Sequence, residues 1–182
     1  MNSVRIIAGQ WRRRVVRFPD ALGLRPTPDR VRETLFNWLG QSLEGLSCLD
    51  LFAGSGALGF EAASRGAAHV VLVEQSPAVV KILRENISLL NAETVQVWRG
   101  DALQFAPAAR APFDVIFVDP PYRLAWVEKI ALRLDRLAKP GTRLYVEAEH
   151  MVLPWQGWNL LRQDRAGQVF YHLFERGEAN AG

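Results

Sequence analysis

Asp119, Pro120, Pro121 and Tyr122 follow directly on the apolar run Val115 to Val118, so an acid, two rigid residues and an aromatic ring stand where a buried strand would end. In open α/β sheets ligands gather beyond the carboxyl ends of strands. The set suits a planar amino group. Such a nitrogen is a poor nucleophile because its lone pair is delocalised, and two acceptors holding both N–H bonds favour a pyramidal nitrogen with its lone pair aimed at an electrophile. The Asp119 side chain and the Pro120 carbonyl can supply the acceptors. Pro121 confines Pro120 to an extended conformation, which fixes where that carbonyl points. Tyr122 offers a face on which a nucleobase can stack, worth ~1–3 kcal/mol. The competing reading is an ordinary Asp-Pro-Pro turn after a strand.

Three further acids occupy comparable positions: Asp50 near the end of one apolar run, Glu74 (followed by Gln75) at the end of a second, and Asp101 after a third. Gly54, Gly56 and Gly59 give the G-x-G-x-x-G spacing that lets a backbone turn tightly beside a ligand. That spacing, with Glu74 about 20 residues further on, also fits a dinucleotide-binding dehydrogenase. Asp50 separates the two readings. A pyrophosphate would be repelled by a carboxylate beside the loop, whereas S-adenosylmethionine has no phosphate and carries a cationic amino group and a sulfonium.

These residues require a frame of strands and helices. The pattern predicts short strands at Val4 to Ile7 and Val15 to Phe18, pairing as a hairpin around Trp11-Arg12-Arg13-Arg14, then a helix from Pro28 to about Leu43 with Thr27 as its cap. From Ser47 onward apolar strands alternate with amphipathic helices. Strands are expected at Cys48 to Phe52, Val70 to Glu74, Val95 to Trp98, Phe113 to Asp119 and Leu144 to Glu147. Helices are expected to about Arg65, from Ser76-Pro77 to about Leu90 with Asn91 as a stop, and from about Ala125 to Leu137, closed by Lys139-Pro140-Gly141. Trp158 to Arg162 and Val169 to Phe174 complete the chain as strands joined at Ala166-Gly167. This implies an α/β fold: a doubly wound, mostly parallel seven-stranded Rossmann-like sheet with a C-terminal antiparallel hairpin and a short N-terminal β-hairpin arm. A single domain is expected over residues 1–182, with a basic arm over 1–24 and a catalytic core over 25–182.

Leu49-Asp50-Leu51-Phe52-Ala53-Gly54-Ser55-Gly56-Ala57-Leu58-Gly59 resembles motif I of class I methyltransferases, and Asp119 to Tyr122 resembles the D/N/S-P-P-Y/F motif of amino-directed methyltransferases. The resemblance implies that the loop, with Asp50, Phe52, Ala53, Gly54, Ser55 and Gly56, surrounds the methionine portion of S-adenosylmethionine. It also implies that Glu74 binds the ribose hydroxyls and that Asp101-Ala102 meets the adenine. Asparagine at the first position of the tetrapeptide is common in enzymes acting on glutamine amides and on some base amino groups, and aspartate tilts the reading towards a base. The whole chain resembles the RsmD family, bacterial enzymes that methylate N2 of a specific guanine in 16S ribosomal RNA. Its support is Ile7-Ala8-Gly9, Arg25-Pro26-Thr27 with Arg30-Val31-Arg32-Glu33-Thr34-Leu35-Phe36-Asn37, and the two motifs, in that order. Only the approach to the fourth strand, Pro107 to Pro112, matches loosely. The family implies action on 16S ribosomal RNA in the small subunit or an assembly intermediate, with ribosomal proteins holding the target; a monomer is expected. S-adenosyl-L-homocysteine is the expected product, and because attack on the sulfonium needs no metal, no catalytic metal is expected.

Composition sets the remaining bounds. No apolar run approaches the ~20 residues of a membrane span, and no secretory pattern opens the chain, so a cytoplasmic location is expected. Cys48 is the only cysteine, and His69, His150 and His172 lack metal-ligand spacing. The formal net charge is only +3, but eight arginines precede Glu33 against two aspartates. Such a segment suits a phosphate backbone, with Arg12, Arg13, Arg14, Arg30 and Arg32 as candidate RNA contacts and Tyr122 as the stacking ring. The alternatives are a solvated arginine-rich face, a nicotinamide-dependent oxidoreductase, an enzyme acting on adenine N6 or a glutamine amide, and a non-catalytic RNA-binding assembly factor.

Overall fold

A computed structural model describes residues 1–20, 24–106, 112–121 and 125–178. Tyr122, most of the Pro107 to Pro112 approach and the last four residues lie outside the described residues. Strands β1 (Asn2–Arg5) and β2 (Val15–Phe18) pair antiparallel, Val4 opposite Val16, as the hairpin that the sequence predicts. The chain then runs through α1 (Asp29–Leu39), β3 (Ser47–Asp50), α2 (Ala57–Ser64), β4 (His69–Glu74), α3 (Pro77–Leu90) and β5 (Val95–Arg99). It continues through β6 (Phe113–Val118), α4 (Trp126–Leu134), β7 (Ala138–Ala148), β8 (Trp158–Ala166) and β9 (Val169–Arg176). The second sheet has seven strands in the order β5-β4-β3-β6-β7-β9-β8, parallel through β7, with β9 antiparallel to both β7 and β8.

Strand periodicity divides the apolar residues between two cores, because successive side chains point to opposite faces. Cys48, Val70, Leu72, Val115 and Phe117 pack with α1, α2, α3 and the arm. Leu49, Val71, Val73, Ile116 and Val118 pack with α4 on the other side. Burial on both faces accounts for the continuous apolar runs.

Four local departures have physical causes. Thr27 does not cap α1; Pro28 precedes the helix without a side-chain cap, and the Thr27 hydroxyl turns to acids at the carboxyl edge of the sheet. That helix stops at Leu39, where Gly40 adopts φ 102°. Lys139-Pro140-Gly141 does not close α4 but belongs to β7, which begins at Ala138 opposite Phe113. An irregularity there is bridged by Thr142, whose hydroxyl donates to the Phe113 carbonyl (2.6 Å) and accepts from the Lys139 amide (2.9 Å). Finally, α2 is buried on every residue rather than on one face.

The arm explains that burial. Glu61, inside α2 and 0% exposed, accepts from the Ile7 and Ala8 amides (2.9 and 3.0 Å), from Arg65 Nε (2.9 Å) and from Arg32 Nη1 (3.4 Å). Gly9 lies against the same helix at φ +84°, where an added Cβ would stand 1.9 Å from the Ser64 carbonyl oxygen. Side chains are therefore excluded at this crossing.

Candidate active site

The strand order reverses between β3 and β6, the switch point at which a crevice opens beyond the carboxyl ends of the strands. Asp50 ends β3 there, and Asp119 follows β6 directly. Glu74 ends β4 and Asp101 follows β5. All four predicted acids therefore lie along the carboxyl edge of the parallel strands.

Glu74 braces the edge. Its Oε2 accepts from the Gly54 amide (3.1 Å) and its Oε1 from the Ser76 amide (2.9 Å), joining the glycine loop to the start of α3. Each carboxylate oxygen keeps a lone pair that ribose hydroxyls could use. Gln75 is exposed beside it. Asp101 Oδ1 accepts from the Leu103 amide (2.9 Å) and caps a short turn beginning at buried Ala102. In the loop, Ala53, Ser55 and Gly56 are buried and Phe52 is half-buried. Ser55 Oγ accepts from the Ala57 amide (3.2 Å), fixing the loop as it enters α2. Gly59 lets α2 lie close on β4, since an added Cβ would stand 2.2 Å from Leu72 Cδ2.

Asp50 is 2% exposed and accepts one hydrogen bond, from the Phe52 amide (3.2 Å). Burial pushes its carboxyl up to about 7; the Phe52 amide opposes this, and the weaker nearby charges of Glu74 and Glu147 add to it. A buried carboxyl with no cation beside it among the described residues fits a cationic ligand and disfavours a phosphate.

Asp119 meets a residue the sequence reading had placed only in a strand. Glu147, near the end of β7 and 4% exposed, accepts at Oε1 from the Tyr145 hydroxyl (2.6 Å) and from Thr27 Oγ1 (3.1 Å). The same Thr27 hydroxyl lies 3.4 Å from Asp119 Oδ2. Burial, then the charge and hydrogen bond of Glu147, hold the Asp119 carboxyl well above its ordinary range. Pro120 is buried and Pro121 exposed. Thr27, Tyr145 and Glu147 are thus site residues that sequence reasoning missed. Glu147 carried a usable signal, because it too is an acid near the end of a parallel strand.

The basic candidates separate. Arg12, Arg13, Arg14 and Arg30 are exposed, and Arg14 Nη2 reaches the Leu89 carbonyl (3.1 Å) at the end of α3. Arg32 corrects the expectation of an RNA contact, for it is 0% exposed. Its guanidinium is committed to the Thr27 and Arg5 carbonyls (3.2 and 3.0 Å), Asp29 (2.6 Å) and Glu61 (3.4 Å). Trp11 is buried in the arm. Among the described residues, no group of three or more histidine, cysteine or acidic side chains is arranged to hold a metal, and no helix is long and apolar enough to cross a membrane.

A doubly wound sheet in this order, with a glycine loop after β3 and acids along its carboxyl edge, defines the class: an S-adenosylmethionine-dependent methyltransferase. The family model described as Conserved hypothetical protein 95 matches residues 4–175, and the chain belongs to that family, in keeping with the RsmD resemblance of its motifs. Ribosomal RNA small subunit methyltransferase D of Escherichia coli (strain K12) is 45% identical over 189 residues, covering 99% of this chain and 95% of that protein. The solved Escherichia coli yhhF structure matches with a TM-score of 0.88 at 43% identity, covering 98% of this chain and 100% of that one. An RNA methyltransferase from Salinibacter ruber, solved with S-adenosyl-L-homocysteine, matches with a TM-score of 0.68 at 23% identity, covering 85% of this chain and 95% of that one. This last likeness speaks for the fold alone.

Proposed function

We propose that this protein transfers a methyl group from S-adenosyl-L-methionine to the exocyclic N2 amino group of a specific guanine in 16S ribosomal RNA of the small subunit. The observation that carries the reading is Asp119, set beside buried Asp50 at the sheet's switch point and oriented by the Thr27 hydroxyl. The Escherichia coli relative's name supports ribosomal RNA as the substrate.

S-adenosylmethionine supplies the electrophilic methyl group when bound. Asp50 and the loop Phe52 to Gly56 would hold its methionine end, Glu74 and Gln75 its ribose, and Asp101 and Ala102 its adenine. Asp119 and the Pro120 carbonyl accept the two N–H bonds of the guanine amine and localise the lone pair that attacks. Tyr122 stacks on the base. The surplus proton leaves the nitrogen once it has become cationic, and S-adenosyl-L-homocysteine is released.

Exposed Arg12, Arg13, Arg14 and Arg30 contact RNA phosphates, so recognition depends on the shape of a subunit or assembly intermediate and on ribosomal proteins that hold the base. The protein works as a cytoplasmic monomer without a metal, in which residues 1–182 form one catalytic unit with the arm docked on α2.

Asp119→Ala tests the site. It should abolish methyl transfer to small subunits while S-adenosylhomocysteine affinity, read by calorimetry, stays within about threefold. Wild-type turnover in this variant would sink the mechanism.

A further inference from the structure

Two buried glutamates in this fold have different surroundings. Glu61 is held by two guanidinium groups, Arg32 at 3.4 Å and Arg65 at 2.9 Å, the arrangement that makes a buried carboxylate tolerable. Glu147 has no such partner among the described residues. Its Oε1 receives hydroxyls of Tyr145 and Thr27, which are 0% and 5% exposed, and it shares the Thr27 hydroxyl with Asp119, at 3.1 and 3.4 Å. A carboxylate serving only the core would gain from a cation or from replacement by an apolar side chain. This one is enclosed against the group that receives the amine.

We propose that Glu147 is a positioning residue for methyl transfer, anchoring the Asp119 carboxyl through their shared hydrogen-bond partner and making the two acids carry one negative charge between them. This rests on the reading of Asp119 as the acceptor for the substrate amine. The two acids share the hydroxyls unequally. Thr27 has one proton to donate and lies nearer Glu147 (3.1 Å) than Asp119 (3.4 Å), and Tyr145 donates to Glu147 at 2.6 Å. Both hydroxyls are therefore spent mainly on Glu147, and burial beside that acid holds the Asp119 carboxyl above its ordinary range. Among the described residues, the ionisable groups acting on the pair are Asp50 from β3 and Tyr145 from β7, with Tyr171 from β9 acting on Tyr145. His172 on β9 sits opposite Val146, with its ring on the Val146 carbonyl and the Val152 amide. None is a resident cation. The pair's single charge is thus available to the positive charge that develops on the amine nitrogen, and a fixed Asp119 carboxyl keeps the lone pair aimed.

The test is Glu147→Gln in the full chain, which keeps shape and removes charge. Three quantities are read: S-adenosylhomocysteine affinity, kcat and KM on small subunits, and the titration midpoint of the Asp119 carboxyl by carbon NMR with labelled aspartate. With the neighbouring charge gone, the Asp119 midpoint should fall. Affinity and KM should stay within about threefold while kcat drops on the order of tenfold to a hundredfold, the scale of a misplaced reacting group. An unmoved midpoint, or an unchanged kcat in the folded variant, overturns the proposal. Should Glu147→Gln not fold, Tyr145→Phe removes only the 2.6 Å hydrogen bond, and the same readings apply: kcat down severalfold with affinity unchanged, or the proposal fails. If the wild-type protein methylates no guanine, the functional reading fails by itself, whereas the Asp119 midpoint still decides whether Glu147 governs that carboxyl.

Discussion

Asp50 accepts a single hydrogen bond, from the Phe52 amide, and its carboxyl is pushed up to about 7, chiefly by burial. In the free protein it is therefore half protonated near neutrality, and a cationic ligand must bind the ionised form. Affinity for S-adenosylmethionine should rise about tenfold between about pH 6 and pH 8, the ratio of ionised fractions either side of that midpoint. Calorimetry across that range checks this, and Asp50→Asn should bind more weakly with a flat profile. Stability runs the other way. Because the ordinary value is 3.8, the folded protein binds more protons than the unfolded chain between about pH 4 and pH 7, so the free protein should lose stability as pH rises through that window. A free-protein Tm that climbed there through Asp50 would contradict the assignment. Asp50, Glu74, Asp101 and Asp119 were legible in the sequence because each stands at a strand end, where ligands must sit. Glu147 satisfied the same rule and was passed over. Thr27 was not legible, because a threonine before Pro28 looks the same whether its hydroxyl caps a helix or crosses to two acids more than 90 residues away.

At the level of elements, the arm, α1 and α2 are fastened at one carboxylate. Glu61 takes two arm amides and two guanidinium groups in a dry setting. Glu61→Ala leaves buried Arg65 without its anion and Arg32 with Asp29 alone, and should cost about 3–5 kcal/mol, read as a lower urea midpoint at constant slope. A loss below about 1 kcal/mol would mean that the cluster is solvated. Gly9→Ala meets the Ser64 carbonyl and should release the arm while leaving the sheet folded. Amide exchange at Ile7, Ala8, Gln10 and Trp11 should then accelerate with core strands still protected, and unchanged protection would show that the crossing relaxes instead. The sequence placed these elements well, down to Ser76 and Asn91 at the ends of α3. It misjudged Arg32 and the burial of α2 for one reason. An arginine in a basic stretch reads as surface until its partner is known, and Glu61 lies 29 residues away on another helix.

Across the whole molecule, hydrophobic alternation was enough to specify a doubly wound sheet, since strands buried on both faces and separated by helices have few other solutions. What alternation could not supply was the early start of β7, where Thr142 bridges an irregular register. The charge of Arg12, Arg13 and Arg14 lies on the exposed turn of the arm. Reversing all three should weaken binding to small subunits and reduce the dependence of log affinity on log salt by about two units, at roughly 0.7–0.9 for each phosphate that is no longer neutralised. An unchanged slope would remove the arm from the RNA interface. The central claim, transfer to guanine N2 of the small-subunit RNA, is tested most directly by labelled-methyl transfer. Small subunits from a strain lacking this gene would be incubated with the protein and labelled S-adenosylmethionine, and the modified nucleotide identified by mass spectrometry. N2-methylguanosine at a single site in the 16S RNA is the predicted product; methyladenine, label in ribosomal protein, or no transfer would contradict it.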